Sequence, residues 1–150
     1  MKRNFTMVSG IILVVLLTGC SAVQKASFEA DADAKTLTVP VNKALVYIVR
    51  PNPLGLAVRF NVSCDGTYIG ATGGQRFIYT YQDPGRHEIV SKAENTAKLD
   101  IELAAGEVYY IEQIPRLGFI MARNKLSLLD ETKGKEKLGA CTLSAENVAK

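Results

Sequence analysis

From Leu37 onward the chain runs as short segments of alternating apolar and polar residues, each closed by a turn signal, and this regularity limits the fold more than any other feature. Val58, Phe60, Val62 and Cys64 alternate with Arg59, Asn61 and Ser63, and Asp65-Gly66 follows at once. Asp-Gly is the two-residue signature of a type I′ hairpin, in which both central residues take positive φ. That turn sets Cys64 opposite Thr67 and Val62 opposite Ile69, so both apolar sets share one face. Gln75 to Tyr81 reads as the next strand, Asp83-Pro84-Gly85-Arg86 as a type II turn, and His87 to Ser91 as the returning arm of a second hairpin. Leu99, Ile101 and Leu103 alternate with Lys98, Asp100 and Glu102, which predicts a strand with one wet face. Ala105-Gly106 turns the chain, Val108 to Ile114 is another strand, and Phe119 to Ala122 and Leu126 to Leu129 add one or two more.

Two segments break the alternation. Ala44 to Val49 is apolar on both faces, as a central strand covered from both sides must be. Arg50-Pro51-Asn52-Pro53 ends it, because two prolines cannot continue a ladder. Glu131 to Leu138 interleaves Lys and Glu and is expected to form a short C-terminal helix. Many short strands with regular turns give an all-β domain, a β-sandwich or a closed barrel.

"VSCDGTYIGAT" followed by "DPGRHEIV" resembles the PEGA-type pattern: a hydrophobic strand, an Asp-Gly turn, Gly-x-Thr, then Pro-Gly-x-His. With "ALVYIVRP" upstream and "AAGEVYYIE" downstream, the stretch from Ala44 to Leu129 resembles small bacterial lipoproteins of a domain-of-unknown-function family, DUF2846. The resemblance implies a single antiparallel, PEGA- or immunoglobulin-like β-sandwich at the cell envelope. It carries over no catalytic residue and gives His87 a structural place.

The N-terminus supplies an address. Lys2 and Arg3 precede an apolar run from Met7 to Leu17, and small residues lead to Cys20. This is the layout of a secretory signal peptide, and the run is too short for a membrane span of about 20 apolar residues. Leu17-Thr18-Gly19-Cys20 also resembles the bacterial lipobox, which implies lipid on the Cys20 sulfur and cleavage before it. Ser21 in place of Asp then implies export to the outer membrane, facing the periplasm. The expected organisation is a signal peptide over 1–19, a lipidated N-terminus with a flexible tether over 20–36, and the β-sandwich over 37–150. Cleavage removes two basic residues and no acids, so the net charge falls from +3 to +1. A nearly neutral domain offers no basic footprint for nucleic acid. Glu29, Asp31 and Asp33 read as solvated linker acids, since a Ca²⁺ loop needs a Gly turn and a closing bidentate acid.

No catalytic constellation stands out. His87 is the single histidine, with no evident nucleophile beside it, and one His with two further cysteines fits no closed zinc set. The Gly70–Gly74 cluster precedes a strand, whereas phosphate loops open helices. Asp100 and Glu102 belong to a wet strand face. Phe77, Tyr79 and Tyr81 fall on one strand face and are a candidate aromatic binding platform, although core packing is the stronger reading and the chain has no Trp. Once Cys20 carries lipid, Cys64 and Cys141 remain, in a compartment where disulfides persist, and a bridge between them is a narrow preference over two free thiols. The expected function is a non-catalytic accessory or binding module at the envelope. It has no cofactor beyond the lipid, and its partner is an envelope protein, peptidoglycan or another polysaccharide. The rival is an envelope hydrolase whose carboxylates converge only in the fold.

Overall fold

The computed structural model describes residues 22–119 and 122–147, so the signal-peptide segment and Cys20 lie outside the described residues. In chain order the elements are α1 (Phe28–Lys35), β1 (Ala44–Arg50), β2 (Phe60–Cys64), β3 (Thr67–Thr72), β4 (Arg76–Gln82) and β5 (Gly85–Lys92). Then come β6 (Thr96–Leu103), β7 (Val108–Leu117), β8 (Ala122–Leu129), α2 (Glu131–Gly139) and the two-residue β9 (Thr142–Leu143). The strands form two sheets, ordered β8-β7-β1-β4-β9 and β3-β2-β5-β6, which pack as a β-sandwich. Both helices lie on the outer face of the five-stranded sheet, giving a third layer.

The apolar run of β1 is explained by this layering, since all seven of its residues are buried. Ala44, Val46 and Ile48 point into the core between the sheets with Val62, Cys64, Ile78, Ile89, Ile101 and Ile111. Leu45, Tyr47 and Val49 point the other way, against Phe77, Tyr110, Ala34 of α1 and Leu138 of α2. The four-stranded sheet has the predicted wet face, with Lys98, Asp100 and Glu102 exposed and Ile101 and Leu103 buried.

Several expectations are revised. The four-stranded sheet is antiparallel, but the larger sheet is mixed: β1 runs parallel to β7, and β4 parallel to β9. The second hairpin does not form, because β4 and β5 belong to different sheets and the Asp83–Gly85 turn carries the chain across the sandwich. The Asp65-Gly66 hairpin does form, with positive φ at both residues and Cys64 opposite Thr67. A bulge after Val62 moves its partner to Gly70, one residue beyond Ile69. The 20–36 segment is no free tether from Val23 on. Val23 is buried, Ala26 N–H donates to the Leu143 carbonyl, and Asp31 accepts from Leu143 N–H at 2.6 Å. Asp31 is thus a backbone acceptor inside the fold, which the spacing of linker acids does not reveal.

Arg50 is the largest fully buried side chain. Among the described residues it has no carboxylate partner. Its guanidinium donates to the carbonyls of Val58, Leu54 and Gly55 at 2.7–2.9 Å and lies 3.8 Å over the Phe60 ring. These bonds fold residues 51–59 back over the end of the sandwich, and burial lowers the Arg50 pKa to about 10. A buried charge is tolerated only when its hydrogen bonds are met, and carbonyl oxygens meet most of them here.

Helix α2 is seated on the sheet through a glycine. A Cβ built on Gly134 would run into the Tyr110 ring, whereas one on Gly139 meets nothing within 4 Å. Gly→Ala inside a helix normally gains about 1 kcal/mol. At Gly134 overpacking reverses the sign, and Gly134→Ala is expected to lose about 2 kcal/mol in urea unfolding. Gly139→Ala is the control and should be neutral or slightly stabilising; a neutral Gly134→Ala would contradict the docking of α2.

Candidate functional site

At the end of the sandwich opposite Arg50, the β2–β3 hairpin and the end of β4 surround a cleft of about 230 Å³. Cys64, Asp65, Thr67, Tyr68, Ile69, Thr80, Tyr81 and Gln82 line it. Behind it Cys64, Asp65 and His87 gather, their ligand atoms within 4.8 Å of one another. The Asp-Gly turn places Asp65 at the hairpin tip, and antiparallel pairing of β2 with β5 brings His87 beside it.

Every polar atom that would do chemistry there already has a partner. The His87 Nδ1 lies 2.6 Å from the Asp65 Oδ2, and its Nε2 lies 2.8 Å from the Asp83 carbonyl. Both ring nitrogens therefore face acceptors, and only the imidazolium can donate to both. The second Asp65 oxygen accepts from Glu88 N–H at 2.8 Å. Burial alone pulls the His87 pKa down. The Asp65 hydrogen bond, the Asp83 carbonyl and the two carboxylate charges outweigh it, and the net shift is upward from 6.5. The Glu88 N–H first and the His87 bond second hold Asp65 below its ordinary 3.8. Burial, joined by the Asp65 charge, pushes the Cys64 thiol up to about 12.

The chemistry is that of a clamp. A Cys–His pair works when the thiolate is favoured and the imidazole is free to take a proton, and both conditions are reversed here. The same bonding would have to be broken before the Cys64, Asp65 and His87 donors could close on a cation. The clamp ties the Asp65-Gly66 turn to the Asp83–Gly85 crossover, so it fixes the two sheets relative to each other. The cleft in front of it carries one carboxylate, Asp65, and no facing acid. Asp100 stands on the open wet face, paired with Arg86.

The other candidate residues are placed as follows. Phe77 is fully buried, and Tyr47 stacks on Tyr110 and meets Phe77 and Tyr79 edge-on or tilted. Leu37 and Val39 cover this stripe, and the Tyr81 hydroxyl donates to the Thr38 carbonyl. The Phe77–Tyr79–Tyr81 platform is therefore part of the layer under the helices, because α1 and the segment after it lie on that face; only Tyr81 also reaches the cleft. Cys64 and Cys141 are both free and buried. Cys64 belongs to the core between the sheets and Cys141 to the core under the helices, so the five-stranded sheet stands between them and the bridge does not form. Asp65 is the residue that sequence reasoning misses, because turn chemistry alone accounts for an Asp before a Gly.

The clamp makes a pH prediction with a definite sign. A histidine with a raised pKa contributes fully below its unfolded value near 6.5, and that contribution is lost as pH rises through the folded pKa. An aspartate with a lowered pKa contributes above its unfolded value near 3.8, and loses it as pH falls through the folded pKa. The clamp is complete between those limits. In urea unfolding, His87→Asn should lose more stability at about pH 5.5 than at about pH 8.5. An equal or larger deficit at the higher pH would mean that His87 is held neutral.

A curated relative aligns along most of the chain: an uncharacterized protein of Haemophilus influenzae (strain Rd) is 26% identical over 148 residues, covering 97% of this chain and 88% of that protein. No solved structure matches the chain. The family model described as Protein of unknown function (DUF2846) matches residues 40–124, from the approach to β1 into the pairing of β7 with β8, and the chain belongs to that family.

Proposed function

We propose that the protein is an envelope lipoprotein, held in the membrane by lipid on Cys20, whose β-sandwich serves as a non-catalytic accessory or binding module. The observation that carries the non-catalytic reading is the locked cluster: both His87 ring nitrogens lie against acceptors, Asp65 Oδ2 and the Asp83 carbonyl, and the neighbouring thiol is held protonated. The hydrolase reading needs two carboxylates about 5–9 Å apart across a pocket, and the cleft offers Asp65 alone. The anchor rests on Leu17-Thr18-Gly19-Cys20 at the end of the apolar run. Among the described residues no helix is long and apolar enough to cross a membrane. The outer membrane, facing the periplasm, is the destination that Ser21 favours. The partner is an envelope protein or polysaccharide, with the Asp65–Tyr81 cleft as the place for a small polar group of it.

The anchor is tested in cells fed an alkyne fatty acid. Wild-type protein should take up the label and float with membranes, and Cys20→Ala should abolish labelling and leave a longer, unprocessed chain. Undiminished label on Cys20→Ala would refute lipidation at that residue.

A further inference from the structure

The chain enters the fold at the Arg50 end of the sandwich, and four of the eight exposed large apolar side chains among the described residues gather there, whereas Phe28, Val41, Tyr68 and Leu128 are scattered over the rest of the domain. Val23 is buried against Gly73, whose built Cβ would lie 3.1 Å from the Leu56 carbonyl. A Cβ on Gly55 would lie 3.4 Å from the Ala122 Cβ, so the 51–59 loop also touches the base of the β7–β8 hairpin. Glu94, in the β5–β6 turn, accepts from Phe119 N–H and donates its own N–H to the Ala122 carbonyl. Four loops thus share one end. From them Leu54, Leu56, Leu117 and Phe119 project, at 43, 54, 86 and 96% exposure. Beside them Arg116, Arg123 and Lys125 line a shallow groove with Asn95, Leu117 and Asn124. None of those three cations has a carboxylate partner within ion-pair distance among the described residues. The opposite end carries Asp65, Asp83, Glu107 and Asp130 in its turns, with His87, Lys43 and Lys133 paired to the first, second and fourth.

We infer that this end of the domain docks on an anionic phospholipid bilayer, with the apolar tips in the acyl boundary and the Arg116–Arg123–Lys125 groove on headgroup phosphates. The inference rests on the anchored-lipoprotein reading above and specifies its geometry. Two residues, Ser21 and Ala22, separate Cys20 from the buried Val23, and the three extended Cα steps span at most about 11 Å. Lipid on Cys20 therefore brings the bilayer to the Val23 end and leaves no long spacer between membrane and domain. Apolar tips flanked by cations are what an interfacial surface requires: burial of the first, attraction of anionic headgroups by the second. Arg50 sets the geometry from below, since its bonds to the Leu54 and Gly55 carbonyls hold the loop that presents Leu54 and Leu56.

The protein contains no Trp, so a single introduced Trp reports its own surroundings. Full-chain Phe119→Trp, purified from membranes in its processed form, would be placed in phosphatidylethanolamine–phosphatidylglycerol vesicles with brominated acyl chains. Glu107→Trp, in the turn at the far end, is the comparison. The Phe119→Trp chain should lose roughly half of its indole emission and the Glu107→Trp chain little. Adding Arg116→Glu and Arg123→Glu to Phe119→Trp should reduce its quenching. Flotation with the vesicles but no quenching of Phe119→Trp overturns the docking and leaves the anchor standing. Blue-shifted yet unquenched emission from Phe119→Trp also overturns it, assigning the patch to a second copy or another protein. Failure of the full chain to float overturns the anchor and the docking together.

Discussion

Strand β1 is the constraint on which the other layers depend. It is paired on both edges, by β4 antiparallel and β7 parallel, and buried on both faces. Its even-numbered residues seed the core between the sheets and its odd-numbered residues seed the core under the helices. A strand so placed must be apolar throughout its covered length, and only its last residue departs from that rule. Arg50 is polar because the strand must stop there. It accomplishes the stop by turning its guanidinium onto the carbonyls of the loop that follows.

The two ends of the sandwich are consequently built by different means. At the Arg50 end a buried cation collects backbone oxygens and leaves side chains of the loop pointing outward. At the other end His87 of β5 pairs with Asp65 in the β2–β3 turn of the same sheet and reaches the Asp83 carbonyl in the crossover from β4. Between them a third polar device crosses the core: Gln113 donates to Ser91 and accepts from Thr72, joining β7 to β5 and β3. Buried polar groups of this kind are stable only when satisfied, and each fixes one relative position of the sheets. The apolar core gives the sandwich its stability, and these contacts give it one register.

What is legible in the sequence is what is local. The Asp65-Gly66 hairpin, the wet face of β6 and the α2 helix follow from turn chemistry and period within a few residues, and each is present. A turn signal at Asp83-Pro84-Gly85 states that the chain reverses but not which sheet receives it, so the crossover between β4 and β5 reads as a hairpin. The parallel pairing of β1 with β7 spans most of the domain and has no local mark. Period two places Cys64 and the aromatic stripe in a core without saying which of two cores. The role of Asp31 is illegible for the same reason, since its partner, Leu143, lies 112 residues away. At the site, the sequence marks His87 as structural and Cys64 as inward. The Asp65 side chain that joins them is visible only in the fold.

On this reading the domain lies against the membrane by its Arg50 end, with the His87 end facing away. Hydrogen–deuterium exchange of the full, processed chain in anionic vesicles, compared with the same chain in detergent, measures this directly. Slower exchange confined to residues 51–59 and 116–119, with the Asp65 and Asp83 turns unchanged, is the predicted result. Protection at the Asp65 end, or none at either end, would contradict that orientation.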